Sequence, residues 1–362
     1  MQCGVFLRRI VVDKNKISKT DAILTFVSMI LAFASVVTVV CFMVMGKNVV
    51  PTISLDDDTG RKRGYYTFLV AGTDTTSNNT DVLMLASLDS SSGDIKILQI
   101  PRDTFIDRTV LGYSSVTRVN GIFAAEYNKA RNDGYSANNS KKRAMQALCT
   151  VVADALGTEI DEYVLIDTSA FRAVVNAVGG VYFDVPYDME YSDPYQDLYI
   201  DIKAGYQLLD GEQAEHLIRF RGTPTADLGR IDVRADFIKT MAVQVKANLN
   251  LSSMITIAGE LISKMTTSFS AIDAVKYISA AYDASMDDIE IKTLTGSSVW
   301  DPVQGRWSPS YYLNKAAACR DINKFANVYK KDIELNDFDT SGLFCDKSST
   351  SAETYYKRED IQ

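Results

Sequence analysis

The stretch 163–185, YVLIDTSAFRAVVNAVGGVYFDV, carries the clearest signal for the fold. Tyr163 to Asp167 and Val181 to Val185 read as short strands. Between them Ser169 to Val178 has helical spacing and stops at Gly179-Gly180, glycine being at ease in the left-handed conformation that ends helices. Strand, helix, strand is the βαβ pattern. Upstream, Tyr66 to Ala71 reads as a buried strand ending at Gly72, and Val82 to Leu88 and Ile95 to Ile100 flank the turn sequence DSSSGD. Helical periods follow at Asn120 to Arg131 and Ser140 to Leu156, with Asn120 and Ser140 available as caps. Downstream come an edge strand at Tyr199 to Lys203 and helices at Asp232 to Leu249, Ser253 to Met265 and Ala271 to Ala284. A strand at Ile289 to Leu294 and a helix from Ser310 to Tyr329 close the series. Alternating strands and helices predict an α/β fold, an α-β-α sandwich with a central mixed β-sheet.

Residues Ala22 to Gly46 carry no charge and exceed the roughly 20 apolar residues that cross a bilayer as a helix. Arg8, Arg9, Lys14, Lys16 and Lys19 precede them, and Lys47 and the acidic run Asp56 to Asp58 follow, so the positive-inside rule puts the N-terminus in the cytoplasm. Ala32-Phe33-Ala34 resembles a signal-peptidase site, but the apolar run continues past it, which favours a retained anchor. The expected organisation is a cytoplasmic N-terminus at 1–21, a single membrane pass at 22–46, an extracellular linker at 47–64, a folded domain at 65–335 and a mobile tail at 336–362.

A net charge of −8 argues against nucleic acid as a partner, because binders of the phosphate backbone present a basic face. Cys149, Cys319 and Cys345 would lie outside the membrane, and their spacing fits no metal motif, which favours free buried thiols. The single histidine, His216, sits beside Leu217 and Ile218 and reads as a packing or helix-end residue rather than a catalyst.

The segment 208–234, LLDGEQAEHLIRFRGTPTADLGRIDVR, holds four arginines and no lysine. Arginine's planar fork grips carboxylate or phosphate with two bonds at once. Arg219 and Arg221, two apart, would share one face of a strand, and Arg230 and Arg234, four apart, one side of a helix. Both pairs can converge on one anion; equally, Asp210, Asp227 and Asp232 can neutralise them as surface ion pairs. In open α/β sheets ligands sit beyond the carboxyl ends of strands, which makes the loop after Ala71 a natural wall for a site. That loop carries Asp74 and Asp81, a pair suited to Mg²⁺ or, more simply, to turn formation. Ile100 to Thr104, IPRDT, ends another strand with Arg102 and Asp103, which serve either a site or an internal ion pair.

Taken in order, these motifs resemble the LytR-CpsA-Psr family of membrane-anchored envelope enzymes. The resemblance runs from about Tyr65 to Asn336 and rests on Phe68 to Asp74, Thr80 to Leu85, IPRDT, Arg118-Val119-Asn120, Ile160 to Asp167, Val174 to Pro186, Gly205 to Ala214, Arg219-Phe220-Arg221 and Asp227 to Arg230. It implies a phosphotransferase that moves a glycopolymer from an undecaprenyl-pyrophosphate carrier to a peptidoglycan hydroxyl. Carried over by position, Asp74 and Asp81 would hold Mg²⁺, and Arg102, Arg118, Arg219, Arg221, Arg230 and Arg234 would bind the pyrophosphate. Arg102, Asp103, Arg219 and Arg221 are the expected catalytic set, Asp103 chiefly as the residue that orients Arg102. The lipid tail would occupy an apolar channel between sheet and helices.

Two positions depart from the family pattern. Asn79 stands where an arginine is common, and Val233-Arg234-Ala235 replaces an arginine followed by two glutamines. Arg234 is displaced by one position, a rotation of about 100° on a helix. These departures favour one alternative, a non-catalytic polyprenyl-phosphate receptor or scaffold; a phosphohydrolase that uses water as acceptor is a third reading.

Overall fold

The computed structural model describes residues 60–73, 79–107, 118–193, 198–220, 226–282, 289–303 and 306–338. The expected membrane segment, most of the linker, Asp74, Arg221, Cys345 and nearly all of the tail lie outside these residues. Among the described residues no helix is long and apolar enough to cross a membrane.

Six strands form the central sheet: β1 (Tyr65–Thr73), β2 (Thr80–Asp89), β3 (Ile95–Gln99), β4 (Glu162–Asp167), β9 (Thr266–Thr267) and β10 (Glu290–Thr293). Their order is β10-β3-β2-β1-β4-β9. β2 runs antiparallel to β1 and β3, whereas β4 is parallel to β1 and β10 to β3, so the sheet is mixed as expected. Side chains alternate between two cores. On β1, Phe68 and Val70 face one core and Leu69 and Ala71 the other; β2 divides Met84 and Ala86 from Leu83 and Leu85 in the same way. Strands buried on both faces read as continuous apolar runs, which is why β1 to β3 stand out in the sequence. Each such leucine or phenylalanine contributes about 1.5–3 kcal/mol by leaving water.

Helices cover both faces. α1 (Asn120–Asn132), α2 (Ala137–Leu156) and α8 (Lys315–Phe325) pack on the Leu69 side. α3 (Thr168–Ala177), α4 (Gly211–Arg219), α5 (Ala226–Asn248), α6 (Leu251–Ile262) and α7 (Ala271–Tyr282) pack on the Phe68 side.

The βαβ reading fails at its third element. β4 and α3 form as expected, with Asp167 accepting the Ala170 N–H at 2.9 Å as the cap. β5 (Val181–Val185), however, pairs antiparallel with β8 (Gly205–Leu209) in a separate two-stranded sheet. Its residues alternate, Val181, Phe183 and Val185 buried and Tyr182 and Asp184 exposed, as befits a strand with one wet face. The expected edge strand is β7 (Leu198–Ile202), which pairs with β6 (Met189–Asp193) and not with the central sheet.

The stretch Ser310–Tyr329 is not one helix. Ser310 to Leu313 end β12 (Arg306–Leu313), the hairpin partner of β11 (Gly296–Val303), and Asn314 then caps α8 by accepting the Ala317 N–H at 2.9 Å. The expected caps also move. Val119 precedes α1 and makes no side-chain cap bond, and α2 is capped by Ser136 rather than Ser140.

Candidate active site

The carboxyl ends of β1, β3 and β4 lie at one end of the sheet, beside the start of β2. Gly72 opposes Val82 while Thr73 opposes Thr80, so Asp81 is the extra residue of a β-bulge. A bulge re-aims the residue it frees from the ladder. Arg102 leaves the end of β3 directly across from it, and Arg102 Nη1 donates to Asp81 Oδ1 at 2.6 Å. Asp103 accepts from both neighbours, from Arg102 Nε at 3.4 Å and from Arg118 Nη1 at 3.1 Å. The turn itself is clamped. Thr104 Oγ1 donates to the Pro101 carbonyl at 2.6 Å, and the Tyr311 N–H donates to the Asp103 carbonyl at 2.8 Å.

Arg219 reaches the same place from the far side. It ends α4, whose start is fixed by a capping box: Asp210 Oδ1 accepts the Gln213 N–H at 2.9 Å and Gln213 Oε1 accepts the Asp210 N–H at 3.0 Å. The strand expected for Arg219 is therefore a helix, and its bond to Glu215 Oε1 at 2.7 Å is an i,i+4 helical pair. Arg234, on α5, donates from Nη2 to the Ile218 carbonyl at 3.3 Å. Its Nε is buried with no hydrogen-bond partner among the described residues.

These side chains rim a cavity of about 1120 Å³, open solvent at its mouth included. Asp81, Arg102, Arg219, Arg234, Thr73, Asp167 and Thr168 supply its polar lining. The remainder is apolar: Val70, Val82, Met84 and Ile166 come from the central sheet, Phe171, Ile218, Phe237 and Ile238 from helices, and Tyr191 and Leu198 from the β6–β7 hairpin. One end of the hollow thus suits an anion and the rest a hydrocarbon.

The charges are unequally compensated. Burial pulls the pKa of Arg102 down, but Asp103 and Asp81 outweigh it and leave the group above its ordinary value. Arg234 goes the other way, lowered to about 10, chiefly by burial and further by Arg102, with Asp81 opposing both. A cation held in the hollow at such a cost attracts an incoming anion. His216 is half-buried on α4 and does not line the cavity; burial lowers its pKa, in keeping with a packing role.

Asp81, Arg102, Arg219 and Arg234 are therefore brought together, and Asp103 stands immediately behind Arg102. Arg118 is not on the cavity wall and touches the site through Asp103. Arg230 falls within α5 and its side chain, like Asp74 and Arg221, lies outside the description. As for Mg²⁺, the ion takes one or two carboxylates and completes its shell with water and substrate oxygens. Asp81 offers that chemistry: Oδ1 holds Arg102, and Oδ2 has no hydrogen-bond partner among the described residues. Among those residues no group of three His, Cys, Asp or Glu side chains could hold a metal. Sequence reasoning did not find Thr73, Asp167 or Glu215. The signal for Glu215 was present in its spacing of four from Arg219.

The LytR_cpsA_psr family model matches residues 45–325. A *Staphylococcus aureus* protein of uncharacterised function is 28% identical over 298 residues, which cover 82% of this chain and 64% of that protein. TagV of *Bacillus subtilis*, named a polyisoprenyl-teichoic acid–peptidoglycan teichoic acid transferase, is 25% identical over 223 residues, or 61% of this chain and 53% of TagV. The chain thus spans between about half and two thirds of the length of these relatives. Among solved structures, *B. subtilis* TagV superposes with a TM-score of 0.55 at 22% identity, covering 71% of this chain and 94% of that one. Protein gbs0355 of *Streptococcus agalactiae* gives 0.61 at 18% identity, covering 81% and 96%. At those identities the likeness is one of fold.

Proposed function

Because the chain belongs to the LytR-CpsA-Psr family, we propose that it is a membrane-anchored phosphotransferase that moves a glycopolymer from an undecaprenyl-pyrophosphate carrier onto a peptidoglycan hydroxyl. The observation that carries this reading is the cavity, in which three guanidinium groups and two carboxylates from separate chain segments line a largely apolar hollow. A ligand with a diphosphate head and a polyprenyl tail matches both halves. The name borne by TagV, a transferase of polyisoprenyl-linked teichoic acid to peptidoglycan, supports the substrate class.

In the reaction the acceptor hydroxyl oxygen forms a bond to the phosphorus that carries the glycopolymer. The bridging P–O bond breaks, undecaprenyl phosphate leaves, and the hydroxyl proton passes to solvent. Charge grows on the equatorial and leaving oxygens, and fixed donors that face them lower the barrier. Arg102, Arg219 and Arg234 supply such donors from the cavity wall. Arg221 and Arg230 join them by family position. Asp103, with one oxygen toward Arg102 and the other toward Arg118, orients the first and is poorly placed to act as a base. Asp81, with Asp74 by family position, would hold Mg²⁺, which neutralises pyrophosphate charge when bound. The apolar walls keep the tail, and so the diphosphate, in register with the arginines.

The test is turnover by the detergent-solubilised full chain with lipid-pyrophosphate donor, peptidoglycan acceptor and Mg²⁺. Release of undecaprenyl phosphate with formation of a phosphodiester, abolished by Arg102→Ala, is the expected result. A polyprenyl-phosphate receptor without catalysis is the second reading, favoured by Asn79, two residues before Asp81 where an arginine is common, and by Val233. Tight lipid binding with no turnover on any donor would select it.

A further inference from the structure

Glu215 belongs to none of the roles described so far, yet it is the least expected side chain near the cavity. It is a carboxylate on α4 with 1% of its surface exposed. Such a group is tolerated only when its charge is matched and its oxygens are hydrogen-bonded. Both conditions are met by arginines. Oε1 accepts from Nη1 of Arg219 at 2.7 Å, and Oε2 accepts from Nε of Arg172 on α3. Arg172 spans further to Glu212 Oε1 at 3.3 Å. The two helices are pressed together at this point, since a Cβ on Gly211 would meet the Arg172 carbonyl oxygen at 2.3 Å. Of the two arginines only Arg219 lines the cavity.

We propose that Glu215 is the positioning residue for Arg219, with Arg172 as the second arginine that holds the buried carboxylate in place. An arginine at a helix end has many rotamers, and fixing one costs side-chain entropy that a bound anion would otherwise have to meet. Glu215 settles that cost before the ligand arrives. It grips the guanidinium from behind, one turn back along α4, so that the group stays at the rim. Arg172 is not on the cavity wall and reaches Arg219 through Glu215. The chain of action is Arg172, Glu215, Arg219, then the diphosphate oxygens. This inference rests on the functional reading above for the identity of the anion.

The experiment is a double-mutant cycle on the full chain in detergent, with geranylgeranyl pyrophosphate as the probe in a binding titration. Glu215→Gln removes the charge while keeping the shape, and is expected to weaken binding about tenfold, the scale of one charge-assisted hydrogen bond. In an Arg219→Ala background the same substitution should change binding by less than about twofold, because residues that act through one another are not additive. Should Glu215→Gln fail to fold, the paired change Arg172→Met with Glu215→Leu removes the carboxylate and its partner charge together and should show the same dependence on Arg219. Equal losses in both backgrounds, or no loss in the native one, overturn the proposal. If Arg219→Ala alone leaves binding intact, the diphosphate reading of the cavity falls and this inference falls with it.

Discussion

Replacing Arg234 by methionine should make the protein more stable and worse at binding its ligand. The guanidinium is buried beside Arg102, its Nε has no partner among the described residues, and its pKa falls from 12.5 to about 10. At 1.36 kcal/mol per unit that depression corresponds to roughly 3 kcal/mol paid by the folded state to keep the charge. Methionine removes the charge and fills similar space, but it forfeits the 3.3 Å bond to the Ile218 carbonyl, worth about 1 kcal/mol. The net gain is about 2 kcal/mol, or a rise in Tm of about 3–4 °C for a domain of this size. The sign with pH is fixed by the lowered pKa: the cost is fully present below about pH 10 and fades only as pH rises towards 12.5. The gain should therefore be the same at pH 6 and pH 9. Scanning calorimetry measures it, and titration with geranylgeranyl pyrophosphate measures the counterpart, a loss of about 10- to 100-fold for a charge-assisted contact. A variant less stable than the parent, with undiminished affinity, would refute the idea that this cation is held for an anion.

Met84→Trp should thicken the cavity floor and weaken geranylgeranyl pyrophosphate binding by about tenfold or more, since excluding two methylenes suffices, while tailless inorganic pyrophosphate binds as before; equal losses for both would contradict an apolar tail site. Gly211→Ala drives a Cβ to 2.3 Å from the Arg172 carbonyl oxygen, so α3 and α4 must part at a cost of about 1–3 kcal/mol, and an unchanged Tm would show the contact to be slack. Burial, with Glu162 adding to it, pushes the Cys149 thiol up to about 12, which leaves almost no thiolate at neutral pH. Iodoacetamide should therefore label Cys149 at pH 7.5 only after unfolding, as mass spectrometry of the digested protein would show; prompt labelling of the folded chain is the contrary result.

The sequence made some of this architecture plain. β1 to β3 were legible because strands covered on both faces leave unbroken apolar runs, and DSSSGD supplies the turn between two of them. β5 was misassigned although VYFDV already alternates, a pattern that belongs to a strand with one face in water. The helix that carries Arg219 was announced by Asp210 and Gln213, three apart, yet the short spacing to Arg221 drew attention to a strand instead. Asp81 and Arg102 were expected near each other for their chemistry, but their direct bond follows from the antiparallel pairing of β2 with β3, which no local pattern encodes. The Arg172–Glu215 pair joins positions 43 residues apart and was equally out of reach. Arg234, expected at the pyrophosphate although displaced by one position from the family pattern, lines the cavity.

The β6–β7 hairpin contributes Tyr191 and Leu198 to the cavity, yet among the described residues its ladder forms a two-stranded sheet of its own, apart from the central sheet. The hairpin is joined to the sheet by side-chain packing, Met189, Leu198, Ile200 and Ile202 sharing a core with Phe68, Val70 and Met84. On the proposed reading, a change in the tail's shape would be met by repacking Tyr191 and Leu198, without breaking a rung of the sheet that carries Asp81 and leads into Arg102.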